Sequence, residues 1–269
     1  MCNGGAVDSP ENDTAAASAA LARARRVTVL TGAGVSTESG IPDFRSADGA
    51  ALLEPDLTAL LADAGLRRRS WRARLHHPVW TARPNPAHRA LVDLERAGRL
   101  RALLTQNVDG LHQAAGSTSV VELHGSIRET ACVACGDRRP MAAALDRVRD
   151  GDDDPACLLC DGVLRSATVP FGRPLDADVL RAARTAALDC DLLLVAGTSL
   201  LVAPAADLVP LAARAGAAVV ICNAEPTPCD GLAAAVVRAP VGRVLPELVA
   251  VPAVGSDRPV RTWGDPSTW

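Results

Sequence analysis

The chain has 269 residues, 48% of them hydrophobic but only 2% aromatic, enough for one large α/β domain, or one carrying a smaller insertion, packed on Leu, Val and Ala. Its formal charge of −3 lacks the basic footprint of a general nucleic-acid or membrane-surface binder, and no apolar run reaches the ~20 residues of a membrane helix. All 28 basic residues are arginine and tyrosine is absent, so Tyr-x-x-x-Lys dehydrogenase chemistry is impossible.

Residues 1–13 read as a disordered tail. Asp8, Glu11 and Asp13 stand where a secretory signal would be basic and then apolar, so a cytoplasmic protein is expected. Asp13-Thr14 is placed to cap an Ala-rich helix running to Arg26. Val27 to Leu30 is a short β-branched run of the kind that forms a buried strand, and it enters Gly32-Ala33-Gly34. A strand running into Gly-x-Gly is either a phosphate-cradling turn or a plain tight turn. The polar residues that follow (Ser36, Ser39, Asp43 and Arg45, around Gly40, Pro42 and Phe44) favour the binding reading.

From Arg45 to Pro86 there are helical pieces, among them Asp56–Leu61, and an arginine-rich stretch from Arg67 to Arg74 that would by default be a solvated helix face. A helix resumes at Ala87. His76, His77 and His88 lie outside the polar clusters and read as surface or packing residues. Strands at Arg101–Thr105 and Val120–Leu123 follow, the first entering Gln106-Asn107-Val108-Asp109-Gly110-Leu111-His112 and the second His124-Gly125. An isolated histidine is usually structural, but His124 falls in the same expected crevice as Asn107 and Asp109, and imidazole suits proton transfer near neutrality. His112 could orient the Asn-Val-Asp loop or cap a helix.

Cys132-x-x-Cys135 and Cys157-x-x-Cys160 are spaced like a zinc ribbon. A redox pair is the alternative. Four thiolates close the coordination sphere, so the expected zinc is structural. Cys190 and Cys222 sit beside strands and read as core residues. Beyond the cysteines come a helix near Asp176–Leu188, a strand at Asp191–Ala196 ending in Gly197-Thr198-Ser199-Leu200, and a helix from Ala203 to Ala215. A strand at Ala218–Ile221 then ends in Asn223-Ala224-Glu225, and a last strand near Ala235–Val237 precedes a helix holding Leu245 and Leu248. Strands alternating with helices predict a doubly wound parallel sheet, with ligands at the carboxyl ends of its strands, where these polar clusters fall.

Taken together, these blocks resemble the sirtuin family of NAD-dependent protein deacylases, over roughly residues 20–250. The matching stretches are Gly32 through Arg45, Thr105 through His112, Glu122-Leu123-His124-Gly125, Gly197-Thr198-Ser199-Leu200 and Asn223 through Pro228, with the cysteine pairs between. The resemblance implies a Rossmann-like NAD-binding domain (14–45, 87–125 and 174–251), a helical insertion (46–86), a zinc-binding insertion with the substrate strand (126–173) and a tail (252–269). It implies NAD consumed as co-substrate, acyl-lysine proteins or peptides as partners, and free lysine, nicotinamide and O-acyl-ADP-ribose as products. An NAD-dependent protein ADP-ribosyltransferase on the same scaffold is the alternative.

Residue roles follow from the same resemblance. His124 would be the catalytic base, with Asn107 beside it. Gly32, Ala33, Gly34 and Ser199 would hold the phosphates and Gln106 the ribose. Ile41, Asn107 and Asp109 would line the nicotinamide pocket, with Phe44 shielding the reactive face from water, and Ser36, Asp43, Arg45, Gly197 and Thr198 would belong to the same cofactor site. Asn223, Ala224 and Glu225 would contact the adenosine half, with the Val241 backbone under the adenine. Val169, Phe171 and Gly172 would bind the peptide and acyl-lysine. The family's Val-x-Phe-Gly-Glu reads Val169-Pro170-Phe171-Gly172-Arg173 here, which removes a backbone donor, reverses a charge and leaves the peptide preference open. Trp71-x-x-Arg74 replaces the Tyr-x-x-Arg of desuccinylases in a stretch similar to class II sirtuins. On that comparison Arg74 would point toward the acyl channel.

Overall fold

The computed structural model describes residues 10–43, 55–170 and 172–250. The expected contributions of Phe44, Arg45 and Phe171, and the tails before residue 10 and after residue 250, lie outside the described residues. The first helix spans Pro10–Arg23, beginning upstream of the expected Asp13-Thr14 cap. Proline suits the opening turn of a helix, because the N–H it lacks would have had no partner there.

Six strands form one parallel sheet: β1 (Val27–Thr31), β2 (Leu100–Thr105), β3 (Val120–Glu122), β7 (Leu192–Ala196), β8 (Ala218–Cys222) and β9 (Ala235–Val237), in the order β3-β2-β1-β7-β8-β9. β1, β2 and β7 are buried along their whole length, as expected where helices cover both faces of a parallel sheet. One face packs on the helices 10–23, 86–96 and 241–249 through Leu21, Leu91, Leu94 and Leu245. The other packs on the helices 177–188 and 208–214 through Ala183, Ala187, Leu208 and Ala212. The strand order reverses between β1 and β7. A doubly wound sheet opens its ligand crevice at that point, beyond the strands' carboxyl ends.

A second sheet is antiparallel, ordered β5-β4-β6 from β4 (Gly125–Cys132), β5 (Arg138–Pro140) and β6 (Leu164–Thr168). These strands, and the helix Met141–Arg149, went unread in the sequence around the cysteine pairs. Their core joins the helix 141–149 to the helix Ala64–Leu75 through Trp71, Met141, Leu145 and Leu164. Arg67 ties the same two parts together from outside, with a paired bond to Asp154 at 2.9 and 3.1 Å. Among the described residues no helix is long and apolar enough to cross a membrane.

Candidate functional site

A cavity of about 740 Å³ opens between the two sheets. Ala33, Ser36, Gln106, Asn107, Asp109 and His124 line its floor. They come from the segments that leave β1, β2 and β3, so the parallel sheet delivers all of them to one edge. Val169, Pro170, Gly172 and Arg173 line it from the segment after β6, and His77 and Val79 from the helical side.

The glycines after β1 are set by contact with the turn after β7. A Cβ on Gly32 would stand 2.6 Å from the Thr198 Cβ, and one on Gly34 would stand 2.9 Å from the Gly197 Cα. The Gly34 N–H donates to the Gly197 carbonyl at 2.8 Å. Gly197 itself has φ +61°, in the left-handed region that glycine tolerates. Two backbones therefore run together at the switch point with no side chains between them, the geometry that lets N–H groups approach a phosphate. Gln106 reaches the same place, its Nε2 donating to the Thr198 Oγ1 at 2.9 Å.

Asn107 and Asp109 meet at Ser36. The Asn107 Nδ2 donates to the Ser36 Oγ at 3.1 Å, and that hydroxyl donates to the Asp109 Oδ2 at 2.7 Å. Asp109 Oδ1 accepts the Leu111 N–H at 2.8 Å. The Asn107 Oδ1 is buried and, among the described residues, has no partner. An orphaned buried acceptor carries a desolvation cost, which a ligand amide N–H at this spot would remove.

His124 lies between β3 and β4, and its Nδ1 is 3.0 Å from the Gln106 carbonyl. A carbonyl only accepts, so Nδ1 carries the proton and Nε2 the lone pair. Burial pushes the imidazole below its ordinary value of 6.5, against an opposing pull from the Gln106 carbonyl. The ring is held neutral with its basic nitrogen defined.

Beneath the floor lies a layer that sequence reading did not resolve. His88 and His112 are both fully buried, with ring centroids 4.8 Å apart. His112 Nε2 lies 2.9 Å from the Thr31 Oγ1, which donates onward to the Thr105 Oγ1 at 2.9 Å. Asn85 and His88 form a capping box at the start of the helix 86–96. The Asn85 amide donates to the Val35 carbonyl at 2.7 Å and to the Ser39 Oγ at 3.0 Å, bracing the loop after β1. His88 is thus a packing residue, one of the two placements expected for it, and its part in the capping box is the feature that went unread. Asn-Pro-x-His was the available signal, an N-cap followed by proline at the first helical position. His77 likewise belongs to the cavity wall rather than to the surface.

The remaining candidates divide. Ile41 lines the cavity and Thr198 is buried beside Gly32. Asp43 and Ser199 follow the turns after β1 and β7. Asn223 closes β8, its amide donating to the Glu225 carbonyl at 2.8 Å, with Ala224 between them. Val241 starts the last helix, and the next residue's N–H donates to the Glu38 Oε1 at 3.1 Å. Trp71 and Arg74 stand behind the cavity wall rather than in it: Arg74, expected to point toward the acyl channel, ends on Ser166, which lines the cavity. Trp71 is 1% exposed in the core of the second sheet, where its large apolar surface is worth most. Arg74 is held over the Trp71 ring at 4.6 Å, with its Nε donating to the Ser166 Oγ at 3.2 Å.

Cys132, Cys135, Cys157 and Cys160 converge, all four Sγ atoms lying within 4.8 Å of one another. The Cys132–Cys160 and Cys135–Cys157 separations are 3.5 and 3.7 Å. A tetrahedron of sulfurs at the usual zinc–sulfur distance has edges of roughly 3.8 Å, so the donor set fits Zn²⁺ and could hold it in a closed structural site. The Cys135 N–H donates to the Cys132 Sγ at 3.5 Å, a bond that favours the thiolate form of that sulfur.

The Sir2 family model matches residues 32–204. The chain is 49% identical over 231 residues to NAD-dependent protein deacetylase 2 of Streptomyces coelicolor, covering 83% of this chain and 96% of that one. It is 42% identical over 236 residues to NAD-dependent protein deacylase 2 of Pyrobaculum aerophilum, covering 85% and 92%. Among solved structures, a Sir2 complex with a p53 peptide and NAD+ superposes with a TM-score of 0.77 at 35% identity, covering 86% of this chain and 94% of that one. A Sir2 homologue in complex with NAD gives 0.78 at 35% identity, covering 93% and 95%.

Proposed function

The chain belongs to the Sir2 family, and from that membership and the lining of the cavity we infer that it is an NAD-dependent protein-lysine deacylase, consuming NAD and releasing free lysine, nicotinamide and O-acyl-ADP-ribose. The observation that carries the residue-level reading is His124, neutral and with its lone pair on Nε2, beside Asn107 with its orphaned buried acceptor. NAD supplies an electrophilic ribose carbon and nicotinamide as leaving group. Asn107 and Asp109, joined through Ser36, orient the carboxamide end at the cavity floor, with Ile41 against it. Gly32, Ala33, Gly34, Gly197, Thr198 and Ser199 receive the phosphates, Gln106 the ribose, and Asn223, Ala224, Glu225 and Val241 the adenosine half. The acyl oxygen of the bound lysine attacks the ribose carbon as nicotinamide leaves; His124 Nε2 then takes the ribose hydroxyl proton so that the sugar oxygen can attack the acyl carbon, and one water completes the release of free lysine.

On this reading the acyl-lysine protein or peptide lies along Val169–Gly172, its lysine N–H on the Val169 carbonyl. Residues 14–45, 87–125 and 174–251 form the nucleotide-binding part, and 46–86 and 126–173 the helical and zinc-bearing insertions. Arg173 beside the peptide favours acidic neighbours of the acyl-lysine. A Cys₄ site fits a reducing compartment, and we place the enzyme in the cytoplasm.

Mass spectrometry of products from NAD and an acetyl-lysine peptide tests the reading. Deacylated peptide, nicotinamide and O-acetyl-ADP-ribose in equal amounts are expected. Peptide gaining the mass of an ADP-ribosyl group, with its acetyl intact, would make the enzyme an ADP-ribosyltransferase instead.

A further inference from the structure

The floor of the cavity is held from outside the parallel sheet. Two successive carbonyls of the loop after β2 are taken by two successive residues of β4. The Ile127 N–H donates to the Val108 carbonyl at 2.9 Å, and the Arg128 Nε donates to the Asp109 carbonyl at 2.8 Å. The Arg128 guanidinium also lies 5.7 Å from the centroid of the Trp80 ring, within cation–π range. Trp80 in turn gives its indole N–H to the Arg74 carbonyl, and its neighbour Val79 lines the cavity. One side chain therefore joins three parts of the molecule: the loop bearing Asn107 and Asp109, the second sheet and the helical segment.

This grip fixes a peptide plane, and the plane fixes a carboxylate. Asp109 precedes Gly110, whose φ is +70° and whose Cβ, if present, would stand 2.6 Å from the Arg128 Nε, so the glycine is what lets the guanidinium reach and hold this peptide plane. With the Asp109 carbonyl held, its carboxylate faces the Ser36 hydroxyl and the Leu111 N–H, and Ser36 in turn orients the Asn107 amide. The turns after β1 and β7 contact each other directly and make no use of Arg128.

We propose that Arg128 is a positioning residue for the carboxamide end of the site: it acts through the Asp109 backbone to hold Asn107 and Asp109 in the geometry that receives nicotinamide, touching neither substrate. The inference rests on the assignment of Asn107 and Asp109 to that end of NAD. Its consequence is selective. Ligands bearing nicotinamide lose affinity without Arg128, while ADP-ribose, which shares everything but that ring, does not.

The test uses the full chain as wild type, Arg128→Ala and Arg128→Lys. Zinc content and melting temperature report the fold. KM for NAD, kcat, the inhibition constant of nicotinamide and the Kd of ADP-ribose report the site. Loss of a charge-assisted hydrogen bond predicts about a tenfold rise in KM for NAD and in the nicotinamide constant. The ADP-ribose Kd should stay within about twofold, and lysine, able to donate one bond, should recover part of the loss. Should Arg128→Ala fail to fold, the NAD-to-ADP-ribose comparison in Arg128→Lys decides. Equal weakening of NAD and ADP-ribose, or no weakening of NAD, overturns the inference while an active wild type leaves the functional reading standing. A wild type that releases no nicotinamide with acyl-lysine peptide overturns both.

Discussion

Protonating the buried pair His88 and His112 should unfold this protein from the acid side, with a size the structure sets. Burial lowers His88 from 6.5 to about 4, with Asp109 pulling the other way, and lowers His112 to about 3. Both pKa values are depressed on folding. Between about 6.5 and 4 the unfolded chain therefore binds protons that the folded chain refuses, and stability is lost as pH falls through that window. Each such group contributes a slope of about 1.4 kcal/mol per pH unit, so either ring alone costs about 2 kcal/mol between neutrality and pH 5. Geometry gives the reason: His112 Nδ1 is buried with no partner among the described residues, so an added proton has nowhere to bond. The assay is urea unfolding at a series of pH values from 7 to 5, for wild type, His112→Gln and His88→Gln. Taking the difference between proteins cancels any loss of metal from the cysteines, which all three share. Each variant should be less stable than wild type at pH 7 but lose about 2 kcal/mol less on acidification. Identical pH slopes in all three would refute the argument.

Four other outcomes follow from the structure. His124→Ala should lower the rate of deacylation by ~10²–10⁴ while leaving ADP-ribose binding intact. In wild type, kcat/KM should fall on the acid side through a pKa below the ordinary 6.5, since burial favours the neutral, active base; a variant with near-normal turnover would remove His124 from that role. Cys157→Ala should lose metal and activity together, because a Cys₄ zinc contributes on the order of 10 kcal/mol to a small module; active protein free of zinc by elemental analysis would contradict this. Gly125→Ala should raise KM for the peptide and lower kcat with zinc retained, because the new Cβ would stand 2.1 Å from the Ala167 carbonyl at the end of the sheet far from the cysteines. Unchanged peptide kinetics would show that the β4–β6 contact does not shape the substrate segment.

What the sequence disclosed and what it hid follow different physics. The central strands of the parallel sheet were legible because burial on both faces makes them continuous apolar runs, and because five of the six strands lead into clusters of polar residues and glycine. The cysteine pairs were legible because metal geometry constrains local spacing. The second sheet was not, since its strands are only partly apolar: Arg138-Arg139-Pro140 has no apolar run, and Gly125–Cys132 mixes buried and exposed positions without a regular alternation. Trp71 and Arg74 misled for a related reason. The motif gives residue types but not the face of the helix they occupy, and in the Ala64–Leu75 helix a core position carries the tryptophan. Arg128 gave no signal at all. Its partner is a backbone carbonyl, and main-chain acceptors look the same in every sequence.

The two sheets meet at His124-Gly125, and the chemistry depends on that meeting. His124 leaves the parallel sheet after β3, and Gly125 opens β4. The His124 side chain binds the Gln106 carbonyl below, while its own carbonyl accepts the Val169 N–H at 2.8 Å. His124, the proposed base, is thus bonded on one side to the loop proposed to orient the nucleotide and on the other to the segment proposed to bind the peptide. Gly125, with φ +73°, lets β6 come close enough for that second bond, since any side chain would meet the Ala167 carbonyl. A histidine fixed only by its side chain could bring its lone pair to the nucleotide yet leave the acyl-lysine free to drift. On the proposed reading, a His124 held from both sides fixes the base relative to both substrate segments, and fixed geometry is what converts binding into reaction when two bound molecules must exchange a group.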